Sequence, residues 1–147
     1  MPAVRMLHIE DGWESGAARL LNTRSWLPRV VSLLEDSGFD VPEPVLVTGE
    51  KLSIRDTRDE LQRRKLTGPF DVVTVQVGTW DVVSDRTAQQ LVADIGEVLD
   101  MAIELAGGDA WHTILVGPNT LVCENDEEVD RMNMIRTAVY SAAFERV

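Results

Sequence analysis

The chain has 147 residues, of which 44% are hydrophobic and 27% charged, which is the composition of one globular domain spanning residues 1–147. Its 14 basic and 25 acidic residues give a net charge of −11. This charge repels phosphate backbones and anionic lipids, so we expect neither nucleic acid nor a membrane as partner. No run approaches the ~20 apolar residues of a membrane helix. The single cysteine, Cys123, forbids an internal disulfide, and we expect a cytoplasmic location.

Four short β-rich runs alternate with stretches of helical spacing, a pattern that predicts an α/β domain with a parallel sheet. The third run is almost continuously β-branched, as expected of a central strand that is buried on both faces. The predicted strands are Val4 to Ile9, Pro44 to Thr48, Val72 to Val77, and Thr113 to Gly117.

Four helices are predicted from apolar periodicity, capping residues and Gly or Pro stops. We expect the apolar face of the first helix to cover the sheet, with Trp26 in the core, and Trp111 to pack at the far end of the sheet. The apolar face of the last helix contains Val129, Met132, Ile135, Val139 and Ala143. The predicted bounds are Ser25 up to Gly38, Ser53 up to Gly68-Pro69, about Asp85 to Ala106, and Asp126 to Phe144.

Ligands of open parallel sheets bind beyond the carboxyl ends of the strands, where loops and helix starts converge. We call this region the crevice. Its loops are Asp11 to Gly16, Thr48 to Lys51, Gly78 to Asp81, and Pro118 to Cys123. In a flavodoxin-like strand order the first and third loops are neighbours. Trp13 and Trp80 are therefore expected to lie together, either closing over an apolar or cationic ligand or filling the site themselves.

The order of these loops resembles the SGNH, or GDSL-type, hydrolase family. In that family the first strand ends in Gly-Asp-Ser, the second in an oxyanion-hole Gly and the third in Gly-x-Asn-Asp, while Asp-x-x-His follows a fifth strand. This sequence has Glu10-Asp11-Gly12, Gly49 and Gly78-Thr79-Trp80-Asp81 at the first three places. The resemblance implies a flavodoxin-like, three-layer α/β domain with strand order 2-1-3-4 and the fifth strand missing.

The differences from the family fall on its catalytic positions. Gly12 stands where the family has its nucleophilic Ser, and Trp80 stands where it has an Asn donor. The Asp-x-x-His block has no counterpart, and neither His8 nor His112 is expected to reach the crevice. The resemblance therefore implies a catalytically degenerate protein that binds a small molecule or a partner, as the small subunit of a heteromeric biosynthetic enzyme.

An active hydrolase or transferase with rearranged chemistry is the alternative. It would use Ser15 as nucleophile, or Asp11 and Asp81 as acid and base, because paired carboxylates can tune each other's pKa. Cys123 has no histidine near it in the chain and is expected to be an inert thiol. The acidic residues fit no metal motif, and no cofactor is expected. Further residues expected to bind ligand are Gly12, Trp13, Glu14, Gly49, Thr79, Trp80 and Asn119.

The fourth predicted strand is an edge strand in the order 2-1-3-4. Residues 113–117 contain no charge and no proline, the features that usually discourage edge pairing. A partner subunit or a second copy of the chain is therefore expected to cover this strand and the last helix. Val129, Met132 and Val139 are the expected contacts.

Overall fold

A computed structural model of the chain describes residues 1–13, 26–118 and 123–147. The described residues form one sheet of four parallel strands in the order β2-β1-β3-β4, which confirms the predicted topology. The strands are β1 (Met6–Glu10), β2 (Val45–Val47), β3 (Val72–Gln76) and β4 (Thr113–Val116).

All four predicted helices are present, although the predicted start of the first, Ser25, lies outside the described residues. None of the helices described is long and apolar enough to cross a membrane. Two short 3-10 turns, Trp80–Val83 and Ala110–His112, follow β3 and precede β4. The helices are α1 (Trp26–Asp36), α2 (Ile54–Arg64), α3 (Ala88–Leu105) and α4 (Asp126–Phe144).

Two helix ends differ from the prediction for reasons of capping. Helix α3 begins three residues later than predicted because Thr87 accepts a hydrogen bond from the Gln90 amide, and the Gln90 side chain accepts one from the Thr87 amide in return. Helix α2 ends at Arg64, before the predicted stop at Gly68, because the next residue, Lys65, adopts a left-handed conformation with φ 47°.

The main core lies between the sheet and helices α2, α3 and α4, which lie side by side. Alternate side chains of β1 and β3 point into it and are fully buried. On α4, Met132, Ile135 and Val139 are buried in this core, so the expectation that Met132 and Val139 contact a partner is wrong, whereas Val129 is exposed. The residues of β1 and β3 that point into this core are Leu7, Ile9, Val73 and Val75.

The other face of the same two strands carries a row of buried polar side chains, formed by His8, Glu10, Thr74 and Gln76. The His8 Nδ1 atom lies 2.6 Å from the Thr74 hydroxyl, and the Thr48 hydroxyl donates to Glu10 over 2.7 Å. Helix α1 lies on this face, where the Trp26 ring meets His8 edge-on with centroids 5.0 Å apart. The sheet therefore has one apolar and one partly polar face, with helices on both.

Two predictions about packing are wrong. Helix α1 lies on the sheet, but Trp26 is not in the core: no residue of the helix is fully buried, Trp26 is half-buried and Leu33 is 66% exposed. Trp111 is 85% exposed, because its turn leads into the edge strand β4 and no described element lies beyond that strand. The apolar periodicity of the sequence identified the apolar faces of the helices, but it did not show whether another element covers each face.

Two leucine truncations should separate the core from the peripheral helix. Leu91→Ala in α3 removes a fully buried side chain and should lower the free energy of unfolding by about 2–5 kcal/mol. Leu33→Ala in α1 should change it by less than about 0.5 kcal/mol, because the side chain is mostly in water. Urea denaturation measures both. Equal losses would contradict the described packing of α1.

Candidate functional site

Asp11 connects three crevice loops through four hydrogen bonds. It follows β1 and is fully buried. Its amide donates to the Gln76 carbonyl over 3.0 Å, and its carbonyl accepts from the Leu52 amide over 2.9 Å. Its carboxylate accepts from the Trp13 amide at 3.0 Å and from the Thr79 amide at 3.1 Å. The loops that follow β1 and β3 are thereby bonded to the Asp11 carboxylate, and the loop that follows β2 is bonded to its backbone carbonyl.

Asp81 is the second buried carboxylate at this end of the sheet. It lies in the 3-10 turn after β3, and its Oδ2 atom accepts from the amide of Ile54, the first residue of α2, over 3.0 Å. A carboxylate at a helix start also complements the helix dipole. Its Oδ1 atom is buried with no hydrogen-bond partner among the residues described. Asp81 thus joins the third crevice loop to α2 with one oxygen and leaves the other unpaired.

Burial raises the pKa of both carboxyl groups. For Asp11 desolvation outweighs the hydrogen bonds from Trp13 and Thr79 and raises the pKa to about 6. Desolvation also raises the pKa of Asp81 to about 6, and the nearby negative charge of Asp11 adds to the shift. Two groups that exchange protons near neutral pH therefore lie at the crevice.

Two tryptophans and a lysine lie over the crevice loops. The Trp13 and Trp80 ring centroids are 6.0 Å apart and the rings are tilted by 58°. The predicted proximity of the two indoles is therefore confirmed. The Lys51 Nζ atom lies 5.4 Å from the centre of the Trp80 ring, within cation–π distance. Sequence reasoning missed this role of Lys51, although its place two residues after Gly49 is a usable signal.

The backbone at Gly12 excludes a side chain. Gly12 has φ 89°, a conformation that favours glycine. A Cβ atom built there would collide with the Gly49 carbonyl oxygen and lie 3.1 Å from the Lys51 amide nitrogen. A serine at this position would require the loop after β2 to move.

The remaining predicted residues fall into two groups. Thr79 is fully buried and Gly49 faces Gly12, so both lie at the crevice with Asp11 and Trp13. Glu14, Ser15 and Asn119 lie outside the described residues, and their expected roles stay predictions.

Other reactive side chains lie elsewhere. His8 belongs to the polar row, His112 is exposed at the amino end of β4, and burial raises the pKa of the half-buried Cys123 thiol. A raised pKa makes a thiol a poorer nucleophile at neutral pH. Within the described ranges, no group of three His, Cys, Asp or Glu side chains could hold a metal ion.

Comparisons with known proteins identify the fold. No protein-family model matches this sequence, and no curated protein sequence matches it either. The crystal structure of TesA superposes with a TM-score of 0.67 at 14% identity, covering 95% of this chain and 74% of TesA. The chain has the α/β three-layer fold of SGNH hydrolase structures.

Two further crystal structures support this assignment. The psychrotrophic esterase EstA from Pseudoalteromonas sp., inhibited by monoethylphosphonate, gives a TM-score of 0.64 at 8% identity, covering 97% of this chain and 73% of EstA. LAE5, an alpha/beta hydrolase enzyme from the metagenome of Lake Arreo, Spain, gives 0.64 at 15% identity, covering 99% of this chain and 75% of LAE5. At these identities the SGNH-like similarity establishes the fold, and the activity of this chain is a separate question.

The pKa values predict how stability depends on pH. An unfolded chain ionises these aspartates near 3.8, whereas Asp11 and Asp81 keep their protons to about pH 6 in the folded chain. Their contribution to the free energy of unfolding is therefore highest below this window and falls as the pH rises through it. Carboxyl ¹³C NMR should show both groups titrating near pH 6.

The variant Asp81→Asn provides a second test of the same assignment. Its amide oxygen can still accept from Ile54, while the ionisable group is gone. The loss of stability between pH 3.8 and about pH 6 should shrink, by at most about 3 kcal/mol for two pKa units. A carboxyl midpoint near 4 for Asp81 would contradict the claim that burial raises its pKa. An unchanged pH dependence of the free energy of unfolding in the variant would contradict it as well.

Proposed function

We propose that this protein is a non-hydrolytic, SGNH-like binding protein whose crevice holds a small molecule against Trp13 and Trp80. The backbone at Gly12 is the observation that carries the proposal. Acyl transfer at this place needs a side-chain nucleophile, and a side chain at residue 12 would meet the Gly49 carbonyl.

The positions of the histidines support the same proposal. The chain has two histidines, and neither is at the crevice. His8 lies within β1, bonded to Thr74 and in contact with Trp26, and His112 precedes β4 at the other end of the sheet. A serine hydroxyl is a weak nucleophile until an adjacent base activates it. No imidazole base is available at the crevice for such a step.

The aromatic pair supports a role in binding. Tilted indoles 6.0 Å apart present apolar surface together with electron-rich faces, and the Trp80 face already attracts the Lys51 ammonium. The indole N–H of Trp80 is buried with no acceptor among the described residues. A ligand with an aromatic or cationic group and a hydrogen-bond acceptor matches these features.

The second part of the proposal concerns assembly. A domain that binds a small molecule but lacks a nucleophile and its base would depend on another chain for chemistry. We therefore propose that it acts in the cytoplasm as the small subunit of a heteromeric biosynthetic enzyme, positioning the ligand for a catalytic partner.

A second function is favoured by one observation, the raised pKa of Asp11 and Asp81. Buried carboxyl groups that titrate near pH 6 are suited to acid and base catalysis. In that case the protein would be an enzyme using this pair, or Ser15 as nucleophile, and it would not need a partner for turnover.

Ester hydrolysis separates the two functions. The wild-type protein should show no turnover of short-chain aryl esters above background, and a fluorophosphonate probe should leave it unlabelled. Labelling at Ser15, or turnover that is lost on Ser15→Ala, would overturn the proposal in favour of the serine enzyme. Turnover that is lost on Asp81→Asn would favour the carboxylate enzyme.

Restoring the family nucleophile should also fail. Gly12→Ser should gain no esterase activity and should lower the free energy of unfolding, because of both its φ angle and the collision with Gly49. Gly38→Ser is the matched control: Gly38 has φ 91°, but a Cβ atom there meets nothing within 4 Å. Equal destabilisation of the two variants would show that the loop after β2 moves aside at little cost, and that the collision with Gly49 does not exclude a side chain at residue 12.

Ligand binding at the aromatic pair can be tested with a panel of aromatic and quaternary ammonium fragments. At least one fragment should change the intrinsic tryptophan fluorescence saturably. The effect should survive Trp111→Phe, because that residue lies in the turn before β4, at the end of the sheet opposite the crevice. It should be lost in Trp80→Ala. Fragment binding that is indifferent to Trp80→Ala would contradict the proposed site.

A further inference from the structure

The two lysines of the chain share an uncommon backbone conformation. Lys51 has φ 51° and Lys65 has φ 47°, both in the left-handed region, which residues other than glycine seldom adopt. Lys65 directly follows α2, where a left-handed residue is common. Lys51 lies before α2, in the crevice loop that follows β2, and no helix end accounts for its conformation. Strained residues of this kind cluster at active sites and ligand-binding sites.

Hydrogen bonds beside Lys51 fix its position at the crevice. The amide of the next residue, Leu52, donates to the Asp11 carbonyl over 2.9 Å. The residue after that, Ser53, caps the start of α2 with its side chain. The Lys51 side chain therefore starts from a fixed point between the end of β1 and the start of α2.

The Lys51 ammonium has no carboxylate partner among the described residues. Every ion pair found there involves an arginine, and the Lys51 side chain is exposed. Two arginines of α4 also reach crevice loops, but each already donates to a backbone carbonyl, Arg131 to that of Asp81 over 3.2 Å and Arg136 to that of Pro118 over 3.3 Å. In the described part of the chain, Lys51 is thus the crevice cation that is not hydrogen-bonded to the protein.

A second unsatisfied donor belongs to the ring beneath this ammonium. The Lys51 Nζ atom is 5.4 Å from the centre of the Trp80 ring, and the indole N–H of that ring is buried with no acceptor among the described residues. A buried N–H without an acceptor costs free energy, so a ligand that supplies the acceptor gains affinity. The ammonium and the indole N–H both donate and neither accepts. Two donors at one ring match an acceptor, and the positive charge favours an anionic one.

The charge of the ligand follows from what already lies at the crevice. The Trp80 face that would attract a ligand cation has the Lys51 ammonium over it, so a second cation would meet a like charge. A dianion is disfavoured because the chain has a net charge of −11 and one lysine neutralises one negative charge. Asp11 and Asp81 add to this repulsion where they are ionised, but both are buried whereas Lys51 is exposed, so an anion entering from solvent meets Lys51 first.

We propose that the crevice ligand is an aromatic carboxylate, whose carboxylate accepts from the Lys51 ammonium and the Trp80 indole N–H. Its apolar part lies against the tilted rings of Trp13 and Trp80, whose centroids are 6.0 Å apart. Lys51 is thereby the residue that selects the charge of the ligand. This inference rests on the proposed binding function and adds the chemical class of the ligand to it.

Three compounds that share one skeleton test the charge of the ligand. Cinnamate is anionic, cinnamamide is neutral and cinnamylamine is cationic. The indole N–H signal of Trp80 in ¹⁵N NMR spectra, assigned by its loss in Trp80→Phe, reports binding at the crevice. Cinnamate should shift this signal and bind about 10-fold or more tightly than the other two, because hydrogen bonds between charged groups are stronger than neutral ones.

Three lysine variants test the role of Lys51. Lys51→Met removes the ammonium and keeps a long side chain, so the affinity for cinnamate should fall to that for cinnamamide, while the affinity for cinnamamide stays unchanged. Lys51→Arg keeps the charge and should keep the preference for cinnamate. Lys65→Met is the matched control and should change nothing, because Lys65 has the same backbone conformation but lies at the opposite end of α2 from the crevice.

The outcomes separate this inference from the proposed function. A preference for cinnamate that survives Lys51→Met, or that Lys65→Met also abolishes, would overturn the inference. Cinnamamide or cinnamylamine binding at Trp80 as tightly as cinnamate would overturn it as well, and the proposed binding function would still stand. If none of the three compounds shifts the Trp80 signal, the inference is wrong, and the wider fragment panel decides the proposed function separately.

Discussion

The buried carboxylate of Asp11 is the constraint on which the crevice depends. A charged group removed from water is tolerated when hydrogen bonds replace its hydration, and Asp11 receives them from the amides of Trp13 and Thr79. Its raised pKa shows that these bonds do not fully offset the cost of burial. Because both donors are loop backbone groups, satisfying one side chain fixes the ends of β1 and β3 relative to each other.

The other features of the crevice follow from this arrangement. With Thr79 held against Asp11, the next residue, Trp80, is brought to Trp13, and the Leu52 amide draws the loop after β2 onto the Asp11 carbonyl. That approach brings the Gly49 carbonyl against Gly12, where only glycine fits. The same contacts that hold the loops together therefore occupy the space that a side chain at residue 12 would need. This is the physical basis for proposing a binding role on a hydrolase-like scaffold.

Much of the fold could be predicted from the sequence, since apolar periodicity and capping residues indicate the order of the elements, while the strand order 2-1-3-4 was implied by the resemblance to the SGNH family. How deeply α1 is buried could not be predicted, because the sequence of a helix shows its apolar stripe but not whether another element covers that stripe. The exposed Leu33 is an example. The polar row was overlooked, although the alternation in Met6–Glu10 places His8 and Glu10 on one face of β1. At the site, the flavodoxin-like strand order predicted that Trp13 and Trp80 lie together. The collision at Gly12 could not be predicted, because it depends on a backbone angle that the residue pattern does not reveal.

Amide hydrogen exchange in Asp11→Ala tests the central role of this carboxylate most directly. Asp71→Ala is the matched control, because Asp71 also accepts a backbone amide, that of Arg5 at 2.7 Å, but lies before β3 at the opposite end of the sheet. In Asp11→Ala the amides of Trp13, Thr79 and Leu52 should lose protection together, while the core amides of Val75 and Leu91 keep theirs. Loss confined to Trp13, or an equal loss at Thr79 in the Asp71 variant, would contradict the account.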